Sequence, residues 1–207
     1  DILAISYRCG IVRIYMNGSP HLATRLAQAG SRADPATGAI SAPIYQTASF
    51  AHPALGQSTG FDYSRTANPT RLVLEQTLAD IEGGHRGFAF ASGLAAIDCL
   101  LRLFAPGDRL VVTEDLYGGT FRLFEKVFRP FGLEAVYIDT SDLTAVKSAL
   151  AAERVKGLFI ESPTNPLLKI ADLRAIAGFA RARGILTIVD NTFLTPVLQR
   201  PLEQDAD

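Results

Sequence analysis

Residues 109–160, RLVVTEDLYGGTFRLFEKVFRPFGLEAVYIDTSDLTAVKSALAAERVKGLFI, decide the fold. Three short apolar runs rich in β-branched residues lie in this stretch, at Arg109 to Thr113, Glu134 to Ile138 and Gly157 to Ile160. Between these runs the apolar residues recur every three or four positions, which is the spacing of one helix face. This alternation predicts an α/β fold, in which a mostly parallel sheet carries helices on both faces.

The same alternation continues on both sides of this stretch. Further apolar runs at Gly87 to Ala91 and Ile185 to Val189 predict two more strands. An earlier helix is predicted over Pro69 to Glu82, because Gly83-Gly84 is a natural C-terminal stop. The later helical faces are formed by Leu94, Ile97 and Leu101, by Phe121, Phe124 and Phe128, by Leu143, Val146 and Leu150, and by Leu173, Ile176 and Ala180.

The N-terminal third has a different pattern. From Gly30 to Asn68, Gly, Pro, Ser and Thr are scattered among few periodic apolar residues, which predicts an extended arm. Segments of this length without regular structure are usually functional or packed on a partner. The only methionine is Met16, so we expect Asp1 to Tyr15 to be an upstream extension or, given its alternating apolar residues, an edge strand.

The composition is that of an ordinary globular protein with a small-molecule ligand. Hydrophobic residues make up 48% and charged residues 20% of the chain, and the net charge is -1. Such a charge favours neither nucleic acid nor a membrane surface as partner. Two distant cysteines suit a reducing cytoplasm, and three histidines without metal-ligand spacing predict no metal site.

Ligands of open parallel sheets collect at the carboxyl ends of the strands, and the residues that follow the apolar runs are polar. Ala91-Ser92-Gly93, between a predicted strand and helix, could let backbone N–H groups bind a phosphate at the helix N-terminus. The alternative is a tight turn with Ser92 as N-cap. No GxGxxG follows any of these strands, which argues against a dinucleotide site.

Five other positions are candidates, each with a plainer alternative. Asp190 ends a buried run, so its carboxylate needs a partner, such as a protonated pyridine nitrogen, or it caps a strand-end turn. Tyr117 could cover a flat ligand, or belong to a flexible turn with Thr120 as N-cap. Two prolines could point the amide side chain of Asn165 from a rigid strand-exit loop, or they could simply stiffen a turn. Tyr63 and Arg65 suit a phosphate, although a solvated loop arginine is commoner.

Five ordered motifs resemble one enzyme family. They are FDYSRTANPTR (61–71), FASGLAAI (90–97), DLYGGT (115–120), ESPTNP (161–166) and VDNTF (189–193). Their order and spacing resemble the transsulfuration (Cys/Met metabolism) family of pyridoxal-phosphate enzymes. This family includes cystathionine γ-synthase, O-acetylhomoserine sulfhydrylase, cystathionine lyases and methionine γ-lyase.

The resemblance implies a fold-type I enzyme with an aspartate-aminotransferase-like large domain that is incomplete at the C-terminus. Together with the position of Met16, we expect residues 1–15 to be the extension, 16–68 an N-terminal helix and arm, and 69–207 part of the cofactor-binding domain. The resemblance implies that Ser92 and the amides of Gly93 and Leu94 hold the pyridoxal phosphate, that Tyr117 stacks on its ring, and that Asn165 and Asp190 contact the ring. Tyr63 and Arg65 would reach the phosphate of a neighbouring subunit in a dimer, and family members are commonly tetramers. Tyr117 and Tyr63 are the catalytic candidates.

The departures from the family limit this expectation. In the family, a Ser-x-Thr-Lys motif with the Schiff-base lysine follows the position of Asp207, and the four lysines of this chain lie outside that motif. We therefore expect the chain alone to be inactive. For the parent enzyme, γ-replacement on a homoserine ester is favoured, with a cystathionine or methionine lyase, or an inactive remnant that only dimerises, as alternatives. Gly119 stands where methionine γ-lyases typically have cysteine.

Overall fold

A computed structural model describes residues 4–8, 11–15, 21–31 and 34–207, so that Met16 lies outside the described residues. The chain divides into two compact units, Asp1–Ile81 and Glu82–Asp207. The domain boundaries expected from the sequence stay a prediction. Among the described residues, no helix has the length and apolar character needed to cross a membrane.

The first unit contains little regular structure. Strands β1 (Ala4–Arg8) and β2 (Ile11–Tyr15) pair antiparallel. Strand structure is therefore present in this segment, while its origin as an upstream extension stays a prediction. Helix α1 (Leu22–Ala27) precedes the arm, which has no helix or strand over residues 34–68, as expected. Helix α2 (Pro69–Glu82) follows, with the predicted bounds.

The second unit contains a four-stranded parallel sheet. Its strands are β3 (Arg109–Thr113), β4 (Glu134–Ile138), β5 (Val155–Glu161) and β6 (Leu186–Asp190), in the order β4-β3-β5-β6. The helices are α3 (Gly93–Leu101), α4 (Gly118–Arg122), α5 (Leu143–Leu150), α6 (Leu173–Arg181) and α7 (Thr195–Leu198). A π-helical turn, Leu123–Phe128, continues α4, and 3₁₀ turns cover Arg129–Phe131 and Pro201–Gln204.

Helices cover both faces of the sheet, which confirms the predicted architecture. On one face, alternate strand residues such as Val111 and Leu158 pack with α5 and α6. On the other face, Val112 and Phe159 pack with α3 and the π-helical turn. Because successive side chains of a strand point to opposite faces, both faces of these strands are apolar. The sheet is held between these two layers of helices. Because its strands are parallel, their carboxyl ends lie at the same edge.

The predicted strand at Gly87 to Ala91 is wrong. This segment has no strand structure, and the side chains of Phe88 and Phe90 are 62% and 45% exposed. An apolar run becomes a strand only when a neighbour accepts its backbone hydrogen bonds. Among the described residues, no strand pairs with this segment.

Candidate functional site

A cavity of about 400 Å³ lies at the carboxyl edge of the sheet in the second unit. Six of the eight candidate residues line it, which confirms that Ser92 and Asp190 share one end of the sheet. The full lining consists of Ser92, Gly93, Leu94, Ile97, Tyr117, Thr120, Glu161, Pro163, Asn165, Asp190, Thr192 and Phe193.

The N-terminus of α3 forms one wall of this cavity. Ser92 is its N-cap, as the alternative interpretation has it, and its Oγ accepts a hydrogen bond from the amide of Ala95 at 3.2 Å. The amides of Gly93 and Leu94 lie in the first turn, where no intrahelical acceptor exists. The turn interpretation and the anion interpretation are therefore compatible, because the cap leaves two N–H groups available at a positive helix end.

Asp190 is the last residue of β6 and lies half-buried at the cavity. Its Oδ1 accepts hydrogen bonds from both the amide and the hydroxyl of Thr192, which matches the capping interpretation. Oδ2 has no hydrogen-bond partner among the described residues. One carboxylate oxygen thus fixes the turn, and the other is available to a cationic ligand group.

Tyr117 also lines the cavity and comes directly before α4. It occupies the N-cap position of this helix, so the interpretation of Thr120 as N-cap is wrong. Thr120 is instead fully buried within the helix. The Tyr117 side chain is 48% exposed, and its amide donates to Oε2 of Glu161 at 2.9 Å. An aromatic face therefore lines the cavity on a fixed backbone.

The loop that contains Asn165 is held by two carboxylates. The amide of Asn165 donates to Oε1 of Glu161 at 2.9 Å. On its outer side, Asp115 accepts hydrogen bonds from the hydroxyl of Thr164 and, at 3.0 Å, from the amide of Leu167. The prolines alone therefore do not fix the position of Asn165.

Glu161 is a charged residue of the site that the sequence did not single out as a cofactor contact. It is 5% exposed, ends β5, and lines the cavity. Burial, together with the nearby Asp190 and Asp115 carboxylates, raises the pKa of Glu161, and the amides of Tyr117 and Asn165 oppose this rise. The sequence does indicate Glu161, because its carboxylate, like that of Asp190, ends a buried apolar run and needs hydrogen-bond or charge partners.

Tyr63 and Arg65 belong to the first unit and are not among the residues that line the cavity. Both side chains are exposed, and the guanidinium of Arg65 lies 5.0 Å from the Tyr63 ring centroid. Arg65 has no ion pair with a carboxylate within the described part of the chain. A loop that serves a neighbouring subunit is expected to make few contacts within its own chain. For the backbone this expectation is wrong, since the amide of Ser64 donates to the carbonyl of Ala48 at 2.9 Å.

The side chain of Arg71 also stabilises the turn that contains Tyr63 and Arg65. Its guanidinium donates to the carbonyls of Ser64, Arg65 and Thr66, the last at 2.6 Å. The backbone of the arm is thus ordered by its own unit, while the Tyr63 and Arg65 side chains remain open to solvent.

Comparisons with known proteins agree with these motifs. A family model described as Cys/Met metabolism PLP-dependent enzyme matches residues 23–207. Cystathionine gamma-synthase/O-acetylhomoserine (thiol)-lyase of Bacillus subtilis is 51% identical over 189 residues, which are 91% of this chain and 50% of that protein. Cystathionine beta-lyase of Lactococcus lactis subsp. cremoris is 47% identical over 186 residues, which are 90% of this chain and 49% of that protein.

Solved structures match the fold. Cystathionine gamma synthase from Xanthomonas oryzae pv. oryzae, in complex with aminoacrylate and cysteine, superposes with a TM-score of 0.87 at 40% identity, over 92% of this chain and 49% of that one. Cystathionine gamma-lyase from Lactobacillus plantarum, complexed with L-serine, gives 0.86 at 45% identity, over 91% and 49%. The chain therefore spans about half the length of the relatives it matches.

Proposed function

The chain belongs to the Cys/Met metabolism family of PLP-dependent enzymes, and on this premise we propose that its cavity is the cofactor part of an active site for γ-replacement on an activated homoserine ester. The observation that carries the proposal is the convergence of Gly93, Leu94, Tyr117, Asn165 and Asp190 on one cavity. The family is PLP-dependent and acts in cysteine and methionine metabolism. The particular reaction is our inference.

The residues of the cavity fit pyridoxal phosphate. Its phosphate suits the N-terminus of α3, where the amides of Gly93 and Leu94 are available. Its flat ring suits the exposed face of Tyr117. Its protonated ring nitrogen suits Oδ2 of Asp190, the oxygen that Thr192 leaves unused.

Each residue contributes by binding or orientation. When bound, the cofactor supplies an electron sink for the carbanion formed on the substrate. Asp190 holds a proton on the ring nitrogen by its negative charge, and Asn165 orients the ring through its side-chain amide. Tyr117 covers the ring and excludes water from that face. The base that removes the substrate proton is expected to be the family's lysine, which has no counterpart among the cavity residues.

Two reactions compete for the parent enzyme. The 51% identity to an enzyme named for both γ-synthase and thiol-lyase activity supports γ-replacement with cysteine or sulfide as the thiol. The 47% identity to a cystathionine beta-lyase supports elimination from cystathionine as the second candidate. Gly119, where the resemblance gives cysteine to methionine γ-lyases, disfavours that third activity.

The arm and the cellular context complete the proposal. The exposed pair of Tyr63 and Arg65 would bind the phosphate held by a neighbouring subunit, which requires at least a dimer. We expect a tetramer built from two such dimers in the cytoplasm, with amino acids as substrates and without nucleic acid or membrane partners.

Cofactor binding is tested with pyridoxine 5'-phosphate, which lacks the aldehyde and so reports the cavity without lysine chemistry. We expect saturable binding with an induced circular dichroism band from the ligand ring, weakened about tenfold or more by Asp190→Asn, which removes a charged partner. Asp142→Asn is the matched control, because Asp142 caps α5 and asparagine caps equally well. Absence of binding by the unchanged chain would overturn the proposal.

The reaction is tested on the complete gene product that contains these residues, loaded with pyridoxal phosphate. O-acetylhomoserine with cysteine should give cystathionine, whereas cystathionine alone should be cleaved much more slowly. The reverse ratio of kcat/KM values would establish the lyase instead.

A further inference from the structure

Both oxygens of the Glu161 carboxylate are engaged by different loops of the cavity. Oε2 accepts the amide of Tyr117, and Oε1 accepts the amide of Asn165, each at 2.9 Å. Tyr117 precedes α4 and Asn165 follows β5, so the two loops are far apart in sequence. The Glu161 carboxylate joins the two loops at the cavity through these two hydrogen bonds.

Glu161 itself lies on a rigid base. It ends β5 in register with Asp190 of β6, and its amide donates to Oγ1 of Thr113 at 3.2 Å. The hydroxyls of Thr113 and Thr140 are buried and lie 3.0 Å apart, in hydrogen-bond contact. The backbone of Glu161 is therefore fixed from two neighbouring strands.

We propose that Glu161 is a positioning residue, whose carboxylate sets the distance between the Tyr117 ring and the Asn165 amide and so gives the cavity the width of a flat aromatic ligand. The proposal rests on the proposed function, because it assigns a purpose to the spacing of two cofactor contacts. Glu161 acts through the two backbone amides, because each of its oxygens accepts a hydrogen bond from one of them.

Only a glutamate can make both contacts from this position. An ionised carboxylate accepts hydrogen bonds at both oxygens, whereas glutamine would point an NH₂ group at one of the two amides. Aspartate keeps the charge but is one methylene shorter, so it cannot reach both amides from the same backbone. The side chain is 5% exposed, so water is poorly placed to replace a lost contact.

The first experiment examines the geometry in the 207-residue chain without ligand. We expect Glu161→Gln to shift the amide proton resonances of Tyr117 and Asn165 and to speed hydrogen exchange about tenfold or more at one or both amides. Glu114→Gln is the matched control, because Glu114 directly follows the neighbouring strand β3, pairs with Lys169 and does not line the cavity. Unchanged Tyr117 and Asn165 resonances in Glu161→Gln would overturn the proposal.

The second experiment measures the affinity of each variant for pyridoxine 5'-phosphate. We expect Glu161→Gln and Glu161→Asp each to weaken binding about tenfold and to reduce the induced circular dichroism of the bound ring. Val146→Ala, a substitution in the fully buried core under α5, serves as the control for lost stability without contact to the cavity. If Glu161 only stabilised the fold, Val146→Ala would weaken binding as much as Glu161→Gln when the two substitutions lower the Tm equally.

The outcomes separate this inference from the proposed function. If the unchanged chain fails to bind pyridoxine 5'-phosphate, the proposed function fails. If it binds, and Glu161→Gln binds with the same affinity and the same dichroism, the positioning role fails. If Glu161→Asp retains full binding, the charge and not the double contact is what matters, which also overturns the proposal.

Discussion

The ring of Tyr117 lies over Gly119 so closely that a β-carbon at position 119 would come within 2.3 Å of Cε1 of Tyr117. Gly119 is buried in α4, and the ring that it accommodates lines the cavity. A contact this short cannot persist, so any side chain at position 119 must move the ring. In this chain, a side chain at position 119 would therefore displace the ring from the position that it has here.

The first prediction concerns this glycine. Gly119→Ala should displace the Tyr117 ring and weaken binding of pyridoxine 5'-phosphate about tenfold, while the Tm stays the same or rises, because alanine favours the helix. Gly118→Ala is the matched control, since its β-carbon would meet only the end of Arg122, at 3.5 Å. Equal affinity of the two variants would contradict the role assigned to Gly119.

A second prediction concerns the core beneath the sheet. At Gly157 in β5, a β-carbon would lie 2.6 Å from Cζ of Phe104 and 3.1 Å from Cγ of Leu110. Gly157→Ala should therefore reduce the free energy of unfolding by about 1–3 kcal/mol through overpacking. Gly178→Ala, where nothing lies within 4 Å in helix α6, should be neutral or stabilising. Urea denaturation of both variants checks this, and an equal or larger loss in Gly178→Ala would count against it.

The sequence predicted the repeating elements well, because their periodicity comes from burial. The bounds of β3, β4 and α2 agree with the predicted ones, and β6 is displaced by one residue. The strand expected at Gly87 to Ala91 failed because periodicity reports which side chains are apolar and not whether a partner strand is present.

The site was only partly predictable from the sequence. Asp190 was found because it ends an apolar run, and Tyr117 because it lies in the motif DLYGGT at residues 115–120. The double contact of Glu161 could not be predicted, because the loops that it joins meet only when β3 and β5 pair in their observed register. Likewise, the steric role of Gly119 depends on the rotamer of Tyr117, which no spacing rule specifies.

A third prediction concerns acid stability. The Lys169 ammonium, helped by hydrogen bonds from Ser141, lowers the pKa of Asp139 from 3.8 to about 2. A carboxyl whose pKa is lowered by folding stabilises the fold at pH values above its pKa in the unfolded chain. This contribution is lost as the pH falls from 3.8 to about 2. Asp139→Asn should therefore flatten the dependence of the unfolding free energy on pH in that window.

The acid-stability prediction is checked by urea titrations at a series of pH values. Lys169→Gln should reproduce much of the flattening, since it removes the main cause of the lowered pKa. Lys156→Gln, at an exposed position of β5, should leave the slope unchanged. A slope in Asp139→Asn equal to that of the unchanged chain would show that Asp139 does not contribute.

A fourth prediction concerns the arm. Arg71→Met removes the guanidinium that binds the carbonyls of Ser64, Arg65 and Thr66. Hydrogen exchange of the amides around Tyr63 should then become faster, because the turn loses its fastening. Arg25→Met, in the last turn of α1, is the control within the same unit. Exchange rates that stay the same in Arg71→Met would mean that the backbone hydrogen bonds of Ser64 to Ala48 and of Phe50 to Asp62 suffice to hold the turn.

The last prediction is that the 207-residue chain, mixed with pyridoxal phosphate, forms no stoichiometric adduct at a single lysine and turns over neither O-acyl-homoserine nor cystathionine. None of its four lysines lines the cavity.

A lysine that attacks an aldehyde must be deprotonated, which enzymes achieve by burial or by a neighbouring cation. The hydrogen bonds of Lys169 to Asp139 and Glu114 instead raise its pKa. The ammonium of Lys147 lies 4.3 Å from the Phe179 ring centroid and outside the cavity lining, and Lys126 and Lys156 are exposed. Borohydride reduction followed by peptide mapping should therefore find weak labelling scattered over several lysines. Stoichiometric labelling of one of them, together with turnover, would contradict this account and would place the reactive amine within the chain.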